Sequence, residues 1–270
     1  MSWFKNPGEG FRTFARVIIR LAAVALALTG WRTLAAPSSQ TVVEPLTVAA
    51  ATSLQFAFPE IGRLFEAEAG QPVVFTFGSS GNLAHQIENG APVDVFAAAN
   101  VAYVDDLRLK GLIVAGSQQL YAQGRVVLAI NRTSGVQARR LEDLLQPAIT
   151  HVALANPGHA PYGLAARQAL QSAGLWEALQ PKLVYGENVR QAMQFVQTGN
   201  AEAGLIALSV ADVPELSYTL IDARLHQPLN QAVGVVRSTS REAVARRFIA
   251  FVNSPQGQAI LRRYGFLPPE

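Results

Sequence analysis

Leu46 to Ala50 is a run of apolar residues broken only by Thr47, and beyond Thr52-Ser53 the residues Leu54, Phe58, Ile61 and Phe65 return at intervals of three and four. The run predicts a short buried strand, and the intervals predict a helix with one apolar face. Ser53 stands where an N-cap belongs, and Gly70 closes the unit. Pro59 lies deeper than the first turn of such a helix and predicts a kink or a delayed regular start. The pattern then repeats. Val73 to Phe77 is rich in β-branched and aromatic residues, the turn Gly78-Ser79-Ser80-Gly81 follows, and a helix over 82–89 ends at Gly90 before a strand from Asp94 to Ala98. A helix from Asn100 to Lys110, closed by Gly111, completes this half. Strand, helix and strand at this spacing predict parallel βαβ units with right-handed crossovers.

Tyr121 to Asn131 holds a strongly apolar strand, and Leu141 to Leu145 a short helix. A second α/β series follows: a strand from His151 to Ala155, the loop Asn156 to Gly163, and a helix that carries Leu164, Ala165 and Leu170 to Gly174. Lys182 to Tyr185 is the next strand, and a helix through Val189, Met193 and Val196 runs to Gly199. Gly204 to Leu208 and Gln231 to Val236 are further strands, Arg241 to Val252 is an amphipathic helix, and Ser254-Pro255 opens a last short helix.

Residues 1–36 follow a different rule. Lys5, Arg12, Arg16 and Arg20 precede the apolar run Leu21 to Leu28, with small residues after it, which is the pattern of a signal peptide cut near Ala35 or Ala36. The run is about half of the ~20 residues that span a bilayer, so a permanent anchor is the weaker reading. This leader changes the charge argument. It holds five of the 22 Lys+Arg and one of the 19 Asp+Glu, so the formal charge of +3 belongs to the precursor, and the remainder has 17 against 18. No basic stripe interleaved with aromatics stands out in that remainder, which argues against a nucleic-acid partner. With 270 residues, 50% of them hydrophobic, the chain can bury one large or two modest cores; with no cysteine it offers no disulfide, thiolate metal site or lipid-modified cysteine.

Four junctions between strand and helix share one chemistry: Ala51-Thr52-Ser53-Leu54, Gly78-Ser79-Ser80-Gly81, Ala160-Pro161-Tyr162-Gly163 and Glu187-Asn188-Val189-Arg190. Each offers the unpaired N–H groups and partial positive charge of a helix start, and two add hydroxyls. Taken singly, Ser80 can equally be an N-cap and the glycines turn residues. Taken together, the four can face one crevice beyond the carboxyl ends of the strands if the two halves are two lobes. The first three loops hold no Lys or Arg, so neutral donors must carry an anion. At ~1.5–3 kcal/mol for each charge-assisted hydrogen bond, five to seven of them reach the ~8–12 kcal/mol of micromolar to nanomolar binding after association costs. A site of donors alone favours an oxyanion without a proton of its own, such as sulfate, molybdate or tungstate; hydrogen phosphate asks for an acceptor, and Glu187 is the only nearby candidate. His85, His151, His159 and His226 lack metal-ligand spacing, although His159 flanks the crevice. The serine turn lacks the G-x-S-x-G and Walker spacings, so neither an esterase-type nucleophile nor a nucleotide site is supported.

The motifs AATSL (50–54), FGSSGNLAHQIENGAPVDVF (77–96), NPGHAPYGLAA (156–166), ENVRQA (187–192), SPQGQAI (254–260) and RRYGF (262–266) resemble those of the periplasmic molybdate-binding proteins of ABC importers, over about Leu46 to Phe266. The resemblance implies a type II periplasmic binding protein fold of class α/β: two lobes, each a mixed sheet flanked by helices, with the ligand in the cleft between them. Lobe 1 would hold 41–122 and 231–270, and lobe 2 would hold 123–230. It implies a monomeric, non-enzymatic, periplasmic protein that needs no cofactor, carries molybdate or tungstate, and delivers it to a membrane permease. The implied contacts are hydroxyls or amides of Thr52 and Ser53, the hydroxyl and amide of Ser80, and the backbone amides of Tyr162 and Val189. In the enteric branch of the family a tyrosine hydroxyl comes from the strand at 204–208; the matching position here is Ala207, and Thr52 is the candidate replacement. Capture of sulfate, thiosulfate or a phosphonate is the alternative within the class, and an enzyme acting on a small anion is the alternative outside it.

Overall fold

The computed structural model describes residues 43–269, so the segment read as a leader lies outside the described residues. The elements in chain order are β1 (Leu46–Ala51), α1 (Ala57–Ala69), β2 (Val73–Gly78), α2 (Ser80–Glu88), β3 (Val95–Ala98), α3 (Val101–Leu109), β4 (Gln119–Gly124), β5 (Val126–Asn131), β6 (Val152–Ala155) and α4 (Pro161–Ser172). They continue as α5 (Trp176–Leu179), β7 (Leu183–Gly186), α6 (Val189–Gln197), β8 (Ala203–Ala207), α7 (Leu208–Ala211), β9 (Leu216–Leu220), β10 (Leu229–Val235), α8 (Glu242–Val252) and α9 (Pro255–Arg263).

The strands form two five-stranded sheets, ordered β2-β1-β3-β10-β4 and β7-β6-β8-β5-β9. In the first, β1 runs parallel to β2 and β3 while β10 is antiparallel to both its neighbours; in the second, β6 runs parallel to β7 and β8 while β5 is antiparallel to both its neighbours. These two mixed sheets with flanking helices are the two-lobed type II fold. The strand periodicity of two divides the first core cleanly. Val48, Ala50, Val95, Ala97 and Val233 meet α1, α8 and α9 on one face, and Ala49, Phe96, Ala98 and Ala232 meet α2 and α3 on the other.

Some expectations hold and others are corrected. The apolar strand expected within Tyr121 to Asn131 is β5 in the second sheet, while the residues before it belong to β4 in the first, with Arg125 between them. The parallel units read from the spacing are β1 with β2 and β3 and β6 with β7 and β8, and the antiparallel strands β10 and β5 make each sheet mixed, as expected. Ser53 is not an N-cap; Thr52–Leu54 is a 3-10 turn entered from Ala51 without a side-chain cap, and regular helix starts only at Ala57. Pro59 is then the third helical residue, where its missing N–H costs no intrahelical bond, so the delayed start replaces the kink. The edge strand β9, of sequence LSYTL, alternates apolar and polar residues as a strand does but is absent from the elements read above; it carries exposed Tyr218 and Leu220.

Candidate functional site

The carboxyl ends of β1 and β2 feed the Thr52–Leu54 turn and α2, and those of β6 and β7 feed α4 and α6. Each pair of strands is adjacent in its own sheet. Thr52, Ser53, Ser80, Tyr162 and Val189 thereby line one small pocket, together with Ser79, Ala99 and Pro161. Its volume is about 10 Å³, against the ~300–1,000 Å³ of pockets that enclose organic ligands, so only a very small solute fits. No lysine or arginine lines it. Arg190, one residue past Val189, is exposed, and Ala207 is buried at the end of β8 away from the lining, whereas Thr52 is part of it.

Hydrogen bonds at the helix starts decide which donors remain. In α2 the Gly81 N–H goes to the His159 carbonyl at 2.9 Å and the Leu83 N–H to the Ser79 carbonyl at 3.0 Å. The N-cap is Ser79 rather than Ser80: its Oγ accepts from the Asn82 N–H at 3.4 Å. This leaves the Ser80 N–H without a partner among the described residues. In α6 the Asn188 side chain accepts from Arg190 N and Gln191 N, each at 3.1 Å, and the Asn188 carbonyl takes the Ala192 N–H, which leaves the Val189 N–H. In α4 Pro161 has no N–H and the Leu164 N–H returns to Ala160 at 3.0 Å, which leaves those of Tyr162 and Gly163.

The hydroxyls follow the same logic. Ser80 Oγ, fully buried, accepts from the Ala99 N–H at 2.9 Å, so its own proton is free to donate. Ser53 Oγ is buried and has no hydrogen-bond partner among the described residues. An orphaned buried hydroxyl costs free energy unless a ligand meets it. The Tyr162 ring is committed elsewhere: its hydroxyl accepts from Gln231 Nε2 at 3.1 Å, and Gln231 Oε1 accepts from the Tyr121 hydroxyl at 2.7 Å. Burial pushes the Tyr162 phenol well above its usual range, with hydrogen bonding from Gln231 opposing the rise, so it stays neutral. The pocket therefore presents uncharged donors converging from two sheets, an arrangement suited to holding a compact anion and lacking a lysine or arginine to neutralise it.

The other candidates resolve differently. Glu187 does not line the pocket; it accepts from Asn82 Nδ2 across the cleft. Asp94 braces the first lobe, accepting from Thr47 N at 2.7 Å and from Arg241 Nη2 at 2.8 Å. His85 is a solvated helix residue beside Glu88, and among the described residues no group of three or more His, Asp or Glu is placed to hold a metal ion. Contacts between the lobes at Asn82, Ser209 and Gln231 escape a reading of the sequence. Ser209 Oγ, for example, donates to the Ser53 carbonyl at 2.8 Å from 156 residues away, and no local pattern marks such a pair.

Comparison with known proteins agrees with this geometry. The model of the family described as bacterial extracellular solute-binding protein matches residues 46–267. The molybdate-binding protein ModA of Rhodobacter capsulatus is 34% identical over 255 residues, covering 92% of this chain and 96% of its own. The solved periplasmic molybdate-binding protein of Azotobacter vinelandii superposes with a TM-score of 0.79 at 31% identity, covering 83% of this chain and all of its own. The sulfate-binding protein SubI of Mycobacterium tuberculosis superposes with a TM-score of 0.70 at 15% identity, which is a likeness of fold alone. The chain belongs to the bacterial extracellular solute-binding proteins, within the molybdate-binding ModA family.

Proposed function

We propose that this protein captures molybdate, and tungstate with it, outside the cytoplasmic membrane and delivers it to the permease of an ABC importer. The observation that carries the reading is the convergence of the Ser80, Tyr162 and Val189 amides with the Ser53 and Ser80 hydroxyls on one pocket of about 10 Å³ without a cation. Thr52 is the fifth member of the contact set, taking the role that a strand tyrosine plays elsewhere in the family. A tetrahedral dianion can accept from every direction, which is what a shell of donors from four chain turns supplies. Helix starts add favourable partial charge without the reorganisation that a mobile lysine requires. The molybdate-binding relatives, and the Azotobacter structure in particular, support molybdate over sulfate as the cargo.

The remaining parts of this reading follow from capture. The leader directs secretion to the periplasm, the protein works as a monomer without cofactor, its partner is the permease, and it performs no catalysis. A carboxylate base at the pocket would favour an enzyme, and Asp94 and Glu187 are both engaged away from it. Elemental analysis of the secreted protein from cells supplied with molybdate tests the cargo. About one molybdenum per chain is expected from a Kd in the micromolar to nanomolar range, and protein that carries no molybdenum under those conditions rejects it.

A further inference from the structure

The two lobes are also joined beside the pocket, by residues of which only Ser79 lines it. Gly81 donates its N–H to the His159 carbonyl at 2.9 Å, and the His159 Nδ1 lies 2.8 Å from Ser79 Oγ. Beside them Asn82 Nδ2 donates to Glu187 Oε1, and His159 Nε2 stands 3.8 Å from that same oxygen. Residues 79, 81 and 82 lie at the start of α2 in the first lobe, while 159 and 187 lie on the second, so the contacts of Gly81 and Ser79 with His159 and of Asn82 with Glu187 cross the mouth of the cleft, and the approach of His159 to Glu187 lies within the second lobe. A helix start has a limited set of free donors. In α2 that set is divided: the Ser80 N–H is left for the pocket, and the Gly81 N–H is given to the opposite lobe.

Gly81 shows what this contact requires. A Cβ there would stand 2.8 Å from the His159 carbonyl oxygen, 2.9 Å from its Cβ and 3.0 Å from its Cα, so the second lobe can approach this far only over a glycine. The first lobe by itself does not need one. Gly81 is not among the glycines of positive φ and sits within α2, where alanine is the better helix former. Its lack of a side chain serves closure and not the fold of its own lobe.

We propose that Gly81 and His159, flanked by Asn82 and Glu187, form a latch that sets how long a captured anion stays by holding the lobes together without touching the anion. The inference rests on the anion-capture reading above. Release requires these contacts to part, whereas arrival into an open cleft does not involve them, so weakening the latch raises the dissociation rate and leaves association nearly unchanged.

Stopped-flow and calorimetric measurements with molybdate on the full secreted chain test the latch. For Gly81→Ala the thermal midpoint without added molybdate should equal or exceed that of the unaltered protein. Its molybdate dissociation should be faster by about tenfold or more and its association within about twofold, the loss of a hydrogen bond compounded by the clash. For His159→Ala dissociation should be about three- to tenfold faster, and His159→Asn, which keeps a polar atom near the Nδ1 position, should recover most of the loss. Unaltered dissociation in both Gly81→Ala and His159→Ala, with the parent protein binding molybdate, overturns the latch alone. A lowered thermal midpoint for Gly81→Ala also overturns it, since the glycine would then serve its own lobe. A parent protein that fails to bind molybdate overturns the capture reading itself.

Discussion

Around the first sheet Phe58 lies 5.9 Å from both Phe75 and Tyr121 and 6.1 Å from Phe248, and Phe65 lies 5.4 Å from Phe248, so one wall of that lobe is a block of interlocked rings. The buried core of the second sheet is built from Val, Leu, Ile, Ala and Met, with Tyr162 as its single buried aromatic among the described residues. The sheets share one strand order, yet the lobes supply the site with different chemistry. The first offers side-chain hydroxyls, Thr52, Ser53 and Ser80, along with the Ser80 amide. The second offers backbone amides alone, at Tyr162 and Val189. Residue identity therefore governs the first half of the site directly, while the second half is protected from most substitutions because a backbone donor survives them. Two lobes of one topology divide the work between chemistry that mutation reaches easily and chemistry it reaches only through the backbone.

The largest effect tests the difference between the cores. Phe58→Ala should destabilise the protein by about 3–5 kcal/mol, because several rings lose a shared neighbour, while the affinity of the folded fraction stays unchanged. Urea unfolding and calorimetry on the same sample measure both. Next is Ser80→Ala, which removes a donor that the proposed capture assigns to the anion and also strands the buried Ala99 N–H. Affinity should fall by about 1.5–3 kcal/mol and stability by about 1–3 kcal/mol.

Val189 sharpens the contrast between side chain and backbone. Val189→Pro removes only an N–H at the first helical position, where proline is welcome, and Asn188 before it is already extended at φ −154° and ψ 175°. The fold should persist while affinity drops by about 1.5–3 kcal/mol, whereas Val189→Ala, which keeps the amide, should change affinity by less than about 0.5 kcal/mol. The smallest effect falls on Ser53→Ala. Removing an orphaned buried hydroxyl should leave stability without molybdate equal or raised by about 1 kcal/mol while weakening molybdate binding. A thermal midpoint read with and without the anion separates the two.

Legibility in the sequence follows the same division. Hydroxyls at 52, 53 and 80 are visible as residue types beside apolar runs, and the starts of α4 and α6 are visible because Pro161 and Asn188 mark them. The amides of Ser80, Tyr162 and Val189 are named through the family resemblance alone, because residue types do not show that Ser79, Asn188 and the His159 carbonyl consume the others. The resemblance places the crossing between lobes at 122/123, and the step from β4 to β5 falls at Arg125, because a strand signal alone does not say which sheet receives it. Contacts such as Ser209 to Ser53 and Gln231 to Tyr162 join residues far apart in the chain, and only closure of the fold reveals them.

The central claim is that neutral donors from both lobes enclose one molybdate dianion in preference to sulfate. Titration calorimetry of the secreted chain with molybdate, repeated in the presence of sulfate at equal concentration, tests it most directly. The account predicts a single site with a Kd in the micromolar to nanomolar range, unmoved by the sulfate. Absence of molybdate binding, or displacement of molybdate by sulfate at equal concentration, contradicts it.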